Sequence, residues 1–425
     1  MATTVLYGVN DATQAYVSQY DDINKFIIVT TNGGEIFDNQ TALSLEEFAH
    51  QNFDEIEKVV ICSSYVCEIS NSLLNVGFPL EKMFFFDTFN VELEACSKNL
   101  RPQIRPGDIL YAFYDLASNW VTFDVVAFAV IAEMERRKRG KSYIHFFIVP
   151  DRSCQRDMLG AQKCQSEEER SWRIDHILQP VFRCLPATIS VSNLAFREEA
   201  DRIMESGVSC IPNDFRSDKV GLHFSHMMLN EYRQKGECIS VFEAPQYARD
   251  MVARYLDGFG RGRKPIVVNL REYDIQSNRN SRVNEWAKFV SSLDMNTYFP
   301  IVVRDSYRMM DELPSEFGNV SVFPFASSDY IFRVALFEQA YVSLSTTNGV
   351  FFITNFLRNT ATINLIETDE DNPCMAKKAW ERSGFKPGEN SPLRDNDNQI
   401  IHWGADTYEN ILCSFQRLVR QMEGR

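Results

Sequence analysis

The chain has 425 residues, 44% hydrophobic and 24% charged, with 15 prolines and 19 glycines, which is a globular composition with material for two or three domains. A formal net charge of −14 speaks against nucleic-acid binding and against a basic membrane-facing surface. No apolar run reaches membrane-span length and the start lacks a signal-peptide pattern, so no transmembrane segment is expected and the protein is expected in the cytoplasm.

In the first 90 residues, the β-branched or aromatic runs 4–8, 26–30, 58–62 and 83–86 read as strands. Helices are expected from about Asn10, over 43–53 and over 69–76, and the alternation predicts a small parallel sheet. Gly8-Val9-Asn10-Asp11-Ala12-Thr13 stands where a GxGxxG turn would, with only its first glycine, so pyrophosphate binding is not specified. Leu6-Tyr7-Gly8, the turn Thr31-Asn32-Gly33-Gly34, Ser63-Ser64-Tyr65 and Glu68-Ile69 resemble the Rossmann-like unit at the start of many bacterial surface-polysaccharide proteins. There the unit looks like a vestigial nucleotide fold, so a structural or docking role is expected ahead of cofactor binding. Ten cysteines follow no CxxC or repeated spacing; Cys62, Cys67 and Cys184 read as core thiols of a reducing compartment, and no metal site is expected.

A proline-rich break at 101–108 precedes a second α/β unit, 105–245. Residues 109–114 form a strand ending at Asp115. A helix is expected from about 123 to 139, with Asp124 in its first turn and the cluster Arg136 to Arg139 before Gly140 at its end, where cations suit the helix dipole. A strand at 144–149 follows, then a polar stretch at 153–173 read as a loop or exposed helix. A helix at 172–182, a strand at 188–191 and a helix at 195–204 come next. His223 and His226 could share one helix face, but two histidines without a third ligand do not make a metal site. The pattern breaks at 242–245, the expected crossing into a third unit, 246–425, with the two later units meeting at a cleft near 242–249.

That third unit opens with a helix at 247–255 and the apolar run 266–270, read as a buried parallel strand. Polar groups crowd its C-terminal end: Arg271, Glu272, Asp274, Gln276, Asn278, Arg279 and Asn280, before Val283, Trp286 and Val290 resume helical spacing. Open α/β sheets bind ligands at the carboxyl ends of their strands, and the guanidinium fork suits a diphosphate. The structural alternative is that Arg271 and Glu272 pair with each other or with neighbouring elements. Strands at 299–305 and 320–324 and a helix at 330–340 lead to a further strand whose end carries Ser345, Thr346, Asn348 and Gly349, with a helix starting at Phe351. Such a turn offers backbone N–H groups to an anion and equally makes an ordinary N-cap. A strand at 362–366 and a helix at 407–420 close the chain.

Leu270-Arg271-Glu272-Tyr273-Asp274, Arg279-Asn280-Ser281, Trp286, residues 302–306, Asn348-Gly349 and His402-Trp403-Gly404-Ala405-Asp406-Thr407 resemble the catalytic half of bacterial glycosyltransferases of GT-B type from surface polysaccharide and glycoprotein loci. Asp115, residues 123–128 and Val149-Pro150-Asp151 resemble the matching acceptor half, so the likeness covers roughly 105–425. The HxRR pattern of fucosyltransferase-like enzymes is absent. The resemblance implies two facing Rossmann-like domains (GT-B-like) plus the small N-terminal one, and a metal-independent enzyme with no cofactor beyond a nucleotide-sugar co-substrate. It implies transfer to a glycan, lipid-linked or protein acceptor, and leaves room for a homo-oligomer. Arg271 and Arg279 would neutralise the diphosphate with Glu272, Asn280 and the Ser345-to-Gly349 turn around them, and Asp115, or secondly Asp124, would act as base. A nucleotide-sugar epimerase and a non-catalytic scaffold protein are the competing readings.

Overall fold

Parallel sheets wound in one recurring order carry the chain. The computed structural model describes residues 3–20, 25–98, 105–151, 166–219, 224–274, 276–372 and 375–424, and the chain divides into two units, Met1–Ile104 and Arg105–Arg425. In the first unit β1 (Thr3–Tyr7), β2 (Phe26–Thr30), β3 (Leu43–Ser44), β4 (Ile56–Ile61), β5 (Met83–Asp87) and β6 (Glu92–Ala95) lie in the order β3-β2-β1-β4-β5-β6. Only the β5–β6 pair is antiparallel. The helix expected over 43–53 starts later and ends earlier, at Leu45–Ala49, because Ser44 and Glu47 form a reciprocal capping box. Asn52 caps a separate turn at Phe53–Glu55. At the first β-to-α turn Gly8 has φ +123°, and a Cβ there would lie 2.9 Å from the Cys62 carbonyl. Asn10 Nδ2 donates to that same carbonyl at 2.7 Å and Thr13 Oγ1 donates to the Gly8 carbonyl at 2.8 Å, so the turn's side chains engage backbone of the turn and of the neighbouring strand end.

The second unit holds two sheets. Its first lobe has β7 (Ile109–Asp115), β8 (Tyr143–Val149), β9 (Thr188–Asn193) and β10 (Cys210–Ile211), in the order β9-β8-β7-β10. The second lobe has β11 (Lys264–Asn269), β12 (Tyr298–Val303), β13 (Ser321–Val322), β14 (Val342–Thr346), β15 (Thr362–Ile366) and β16 (Gln399–Trp403), in the order β13-β12-β11-β14-β15-β16. Every pair in both lobes is parallel. Both are Rossmann-like sheets, the second with all six strands in the doubly wound order, so the architecture is α/β with two Rossmann-like lobes of GT-B-like arrangement plus a Rossmann-like N-terminal unit.

Helix α1 (Val125–Lys138) is apolar all round through its first eight residues, and its first ten, Glu133 among them, are buried. It is joined by α2 (His226–Gln234), α3 (Gln246–Tyr255), α4 (Val283–Ser292), α5 (Tyr330–Gln339) and α6 (Tyr408–Met422). One apolar cluster runs from Leu110, Val126 and Phe182 through Ala248 and Val252 to Tyr330, Leu336, Phe356 and Ile401. The two lobes therefore share a core, and near 242–249, where a cleft was expected, a packed seam stands beside a cavity lined by Phe242, Glu243 and Arg249. The Phe242 amide donates to the Phe356 carbonyl at 3.2 Å and that of Glu243 to the Cys184 carbonyl at 2.8 Å. The reason is composition: Ile239, Val241, Phe242 and Ala244 in the crossing are buried apolar residues. Cys62 and Cys184 are core thiols as expected, whereas Cys67 is exposed. Among the described residues no helix is long and apolar enough to cross a membrane, and no group of three His, Cys, Asp or Glu stands in position to hold a metal. His223 and most of the polar stretch 153–173 lie outside the described residues; Glu167–Arg173 is a helix.

Candidate active site at the carboxyl end of the second-lobe sheet

Strand β11 is central and buried from Ile266 to Asn269, so the chain emerges from it directly onto the sheet's carboxyl edge. The Arg271 amide donates to Ser281 Oγ at 2.9 Å and the Ser281 amide to the Arg271 carbonyl at 2.9 Å, which closes the following loop at its base. The Arg271 guanidinium turns inward, donating to the Gln276 carbonyl at 3.0 Å and to Asn280 Oδ1. Asn280 in turn brackets Tyr273, accepting from its amide at 3.1 Å and donating to its carbonyl at 3.0 Å. Arg271 is only 7% exposed, and burial, then the nearby Arg279 charge, push its guanidinium down to about 10. Its observed contacts are those of a loop organiser. Glu272 does not pair with Arg271: it takes both arms of Arg304, at 2.8 and 2.5 Å, in a nearly buried bidentate pair. Arg279 lies on the exposed side of the loop, donating to Gln276 Oε1 at 2.7 Å.

Across the sheet, β14 delivers a hydroxyl and amide chain at the point where strand order reverses between β11 and β14. Asn269 Nδ2 donates to Ser345 Oγ at 3.1 Å, Ser345 Oγ donates to the Asn269 carbonyl at 2.8 Å, and Asn348 Nδ2 donates to Ser345 Oγ at 2.8 Å. Asn348 Oδ1 accepts the Phe351 amide at 2.8 Å. The helix expected from Phe351 is a 3₁₀ segment, Val350–Phe356, and its leading turn is occupied by these contacts. Gly349 is pressed against the first lobe: a Cβ there would lie 2.9 Å from Phe123 Cβ and Cδ2. The anion cradle expected at Ser345, Asn348 and Gly349 is thus a packed lobe contact, because the same polar groups that could greet a phosphate are satisfied internally.

Thr346 and Thr347 instead face a cavity of about 450 Å³. It lies over the carboxyl ends of β14, β15 and β16 beside the Arg271–Ser281 loop, and Arg279, Arg282, Asn280, Glu367, Asp369 and Met375 also line it. Its floor is built by Asp406, 5% exposed, which accepts the Arg282 amide at 2.9 Å, the Arg282 guanidinium at 2.6 Å and Trp286 Nε1 at 2.7 Å. Arg282 extends its other arm to Glu367 at 2.7 Å. Asp406 and Arg282 stand within or beside the motifs read in the sequence, yet their pairing was not expected, whereas Glu272 follows the structural alternative by pairing with Arg304 of a neighbouring strand end. With two guanidiniums and four carboxylates in its lining, the cavity suits a ligand that brings hydroxyl donors along with any phosphate.

On the first lobe the two candidate bases differ sharply. Asp115, 0% exposed, is clamped by Arg197 through contacts of 2.5 and 2.9 Å and accepts the Ala117 amide at 2.9 Å. Arg197 also reaches the Pro150 and Ser217 carbonyls. Asp115 thus joins the ends of the first-lobe strands, with both of its oxygens held by Arg197. Asp124 stands at the N-terminus of α1, accepting from Thr122 Oγ1 at 2.9 Å, next to Phe123 and its Gly349 contact. Its charge reaches His226 at the start of α2; burial lowers the His226 pKa and Asp124 opposes that. The His226 ring meets Phe352 edge-on at 5.1 Å. Asp124 and His226 therefore stand where the lobes touch.

No protein-family model matches the chain, nor does any curated protein sequence. Among solved structures it is similar to a family 9 glycosyl transferase from Veillonella parvula, at 11% identity over 74% of this chain and 97% of that one, with a TM-score of 0.43. It is also similar to ADP-heptose lipopolysaccharide heptosyltransferase II of E. coli, at 9% identity over 99% of both chains and a TM-score of 0.32. A third similarity is to a UDP-GlcNAc 2-epimerase from Neisseria meningitidis, at 11% identity over 100% of this chain and 92% of that one, with a TM-score of 0.30.

Proposed function

We propose that the chain is a glycosyltransferase that draws a sugar from a nucleotide-sugar donor. The observation that carries the reading is the cavity of about 450 Å³ at the carboxyl ends of a doubly wound parallel sheet, beside the point where its strand order reverses and such folds take nucleotides. In this reading Glu367 and Asp369 accept the ribose hydroxyls, Met375 and Leu365 supply apolar surface, and Arg279 faces the diphosphate from the loop that Arg271 and Asn280 hold in shape. The acceptor hydroxyl attacks the anomeric carbon as the bond from that carbon to the diphosphate breaks. The hydroxyl proton passes to Asp124, and the nucleoside diphosphate leaves with its charge met by Arg279.

A calorimetric panel of nucleoside diphosphates and nucleotide sugars on the full chain tests this. One nucleotide class should bind, and Arg279→Ala should weaken it roughly ten- to a hundred-fold through loss of charge-assisted bonds. Diphosphate release should require an added acceptor, which separates transfer from epimerisation. Failure of every nucleotide to bind would return the chain to a scaffold role.

A further inference from the structure

A larger cavity, of about 670 Å³, opens where the crossing segment meets α1, α3 and α5. Four arginines line it from three separate elements: Arg136 and Arg137 from the end of α1, Arg249 from the first turn of α3, and Arg358 from the loop after the 3₁₀ segment. In a chain of net charge −14 such a convergence is out of keeping with the composition. Three carboxylates share the lining, but Glu133 is engaged by Arg136 and Arg137 and Glu243 by Arg249. The third, Glu338, accepts the Ala244 amide at 2.9 Å. Burial raises its carboxyl to about 7, so it carries only part of a charge near neutrality. Two buried polar atoms of this lining, Arg249 Nε and Glu338 Oε2, have no hydrogen-bond partner among the described residues.

The arginines also brace backbone, Arg136 on the Lys141 and Ser142 carbonyls, Arg137 on the Cys238 carbonyl and Arg358 on that of Ser240. Each such bond uses one of five N–H groups, and the Arg137 and Arg249 side chains remain 35% and 32% exposed. We propose that this cavity binds a small phosphate-bearing anion, at a site separate from the nucleotide cavity. Guanidinium forks arriving from several directions match a group with several equivalent oxygens, and the volume limits the ligand to metabolite size. Because the lining joins α1, the crossing segment and α5, an occupant ties the two lobes together at the crossing segment.

Titration calorimetry of the full-length chain with inorganic pyrophosphate is the test. In Arg279→Ala, which weakens the diphosphate hold of the nucleotide cavity alone, binding should persist, and it should fall at least about tenfold when the Arg249→Gln, Arg358→Gln double variant is made in that background. Absence of binding, its loss in Arg279→Ala, or its retention when the double variant is combined with Arg279→Ala would overturn the proposal. Should the double variant fail to fold, Glu338→Gln gives an independent reading. Removing that partial charge should tighten pyrophosphate severalfold at pH 8, and unchanged affinity would count against the site.

Discussion

Substituting Glu338 by Gln isolates one buried charge whose cost can be worked out. The carboxyl is raised from the ordinary 4.5 to about 7, burial being the main cause and the Glu243 charge adding to it, while the Ala244 amide and Arg249 pull the other way. At roughly 1.4 kcal/mol for each tenfold of proton affinity, that rise corresponds to about 3 kcal/mol; water in the adjacent cavity reduces the expectation to about 2 kcal/mol. The sign follows from proton counting. Between pH 4.5 and about 7 the folded chain holds a proton that the unfolded chain has released, so this group's contribution to stability falls as pH rises and levels off above about 7. Glutamine keeps an oxygen for the Ala244 amide and carries no charge to desolvate. Calorimetric melting from pH 5 to 8.5 should show the two proteins matching at pH 5 and the variant about 3 °C higher at pH 8, given the small midpoint shift per kcal/mol in a unit of this size. A difference that is constant with pH, or a variant less stable at pH 8, would refute the account.

Further substitutions separate structural from ligand-facing roles. Asp115→Asn should lower stability by roughly 3–5 kcal/mol, since it strands the buried Arg197 charge, and a joint change of both residues to Leu and Met should recover most of it in denaturant melts. Arg271→Ala should lower the thermal midpoint more than it weakens nucleotide, whereas Arg279→Ala should do the reverse; calorimetry and melting on the same preparations decide this. Gly349→Ala should cost roughly 1–3 kcal/mol because its methyl meets Phe123, measured as a lowered melting midpoint.

The sheets were legible in the sequence because their central strands are continuous apolar runs. Ile266 to Leu270 are buried on both faces, as are Ile109 to Tyr114 apart from the partly buried Tyr111, and that pattern needs no knowledge of partners. The polar edge after Leu270 was legible for the same reason: the hydrophobic run stops where the sheet does. Short pieces escaped, such as the two-residue strand Cys210–Ile211, which is held by backbone pairing with Tyr111 and Ala112 and carries no periodic signal. The roles of the charged residues were decided only by tertiary structure. Asp115 meets Arg197 across 82 residues of sequence and Arg282 meets Asp406 across 124. An ion pair is set by which strand ends the fold brings side by side, and a guanidinium free to meet a ligand reads in sequence like one already spent on a carboxylate.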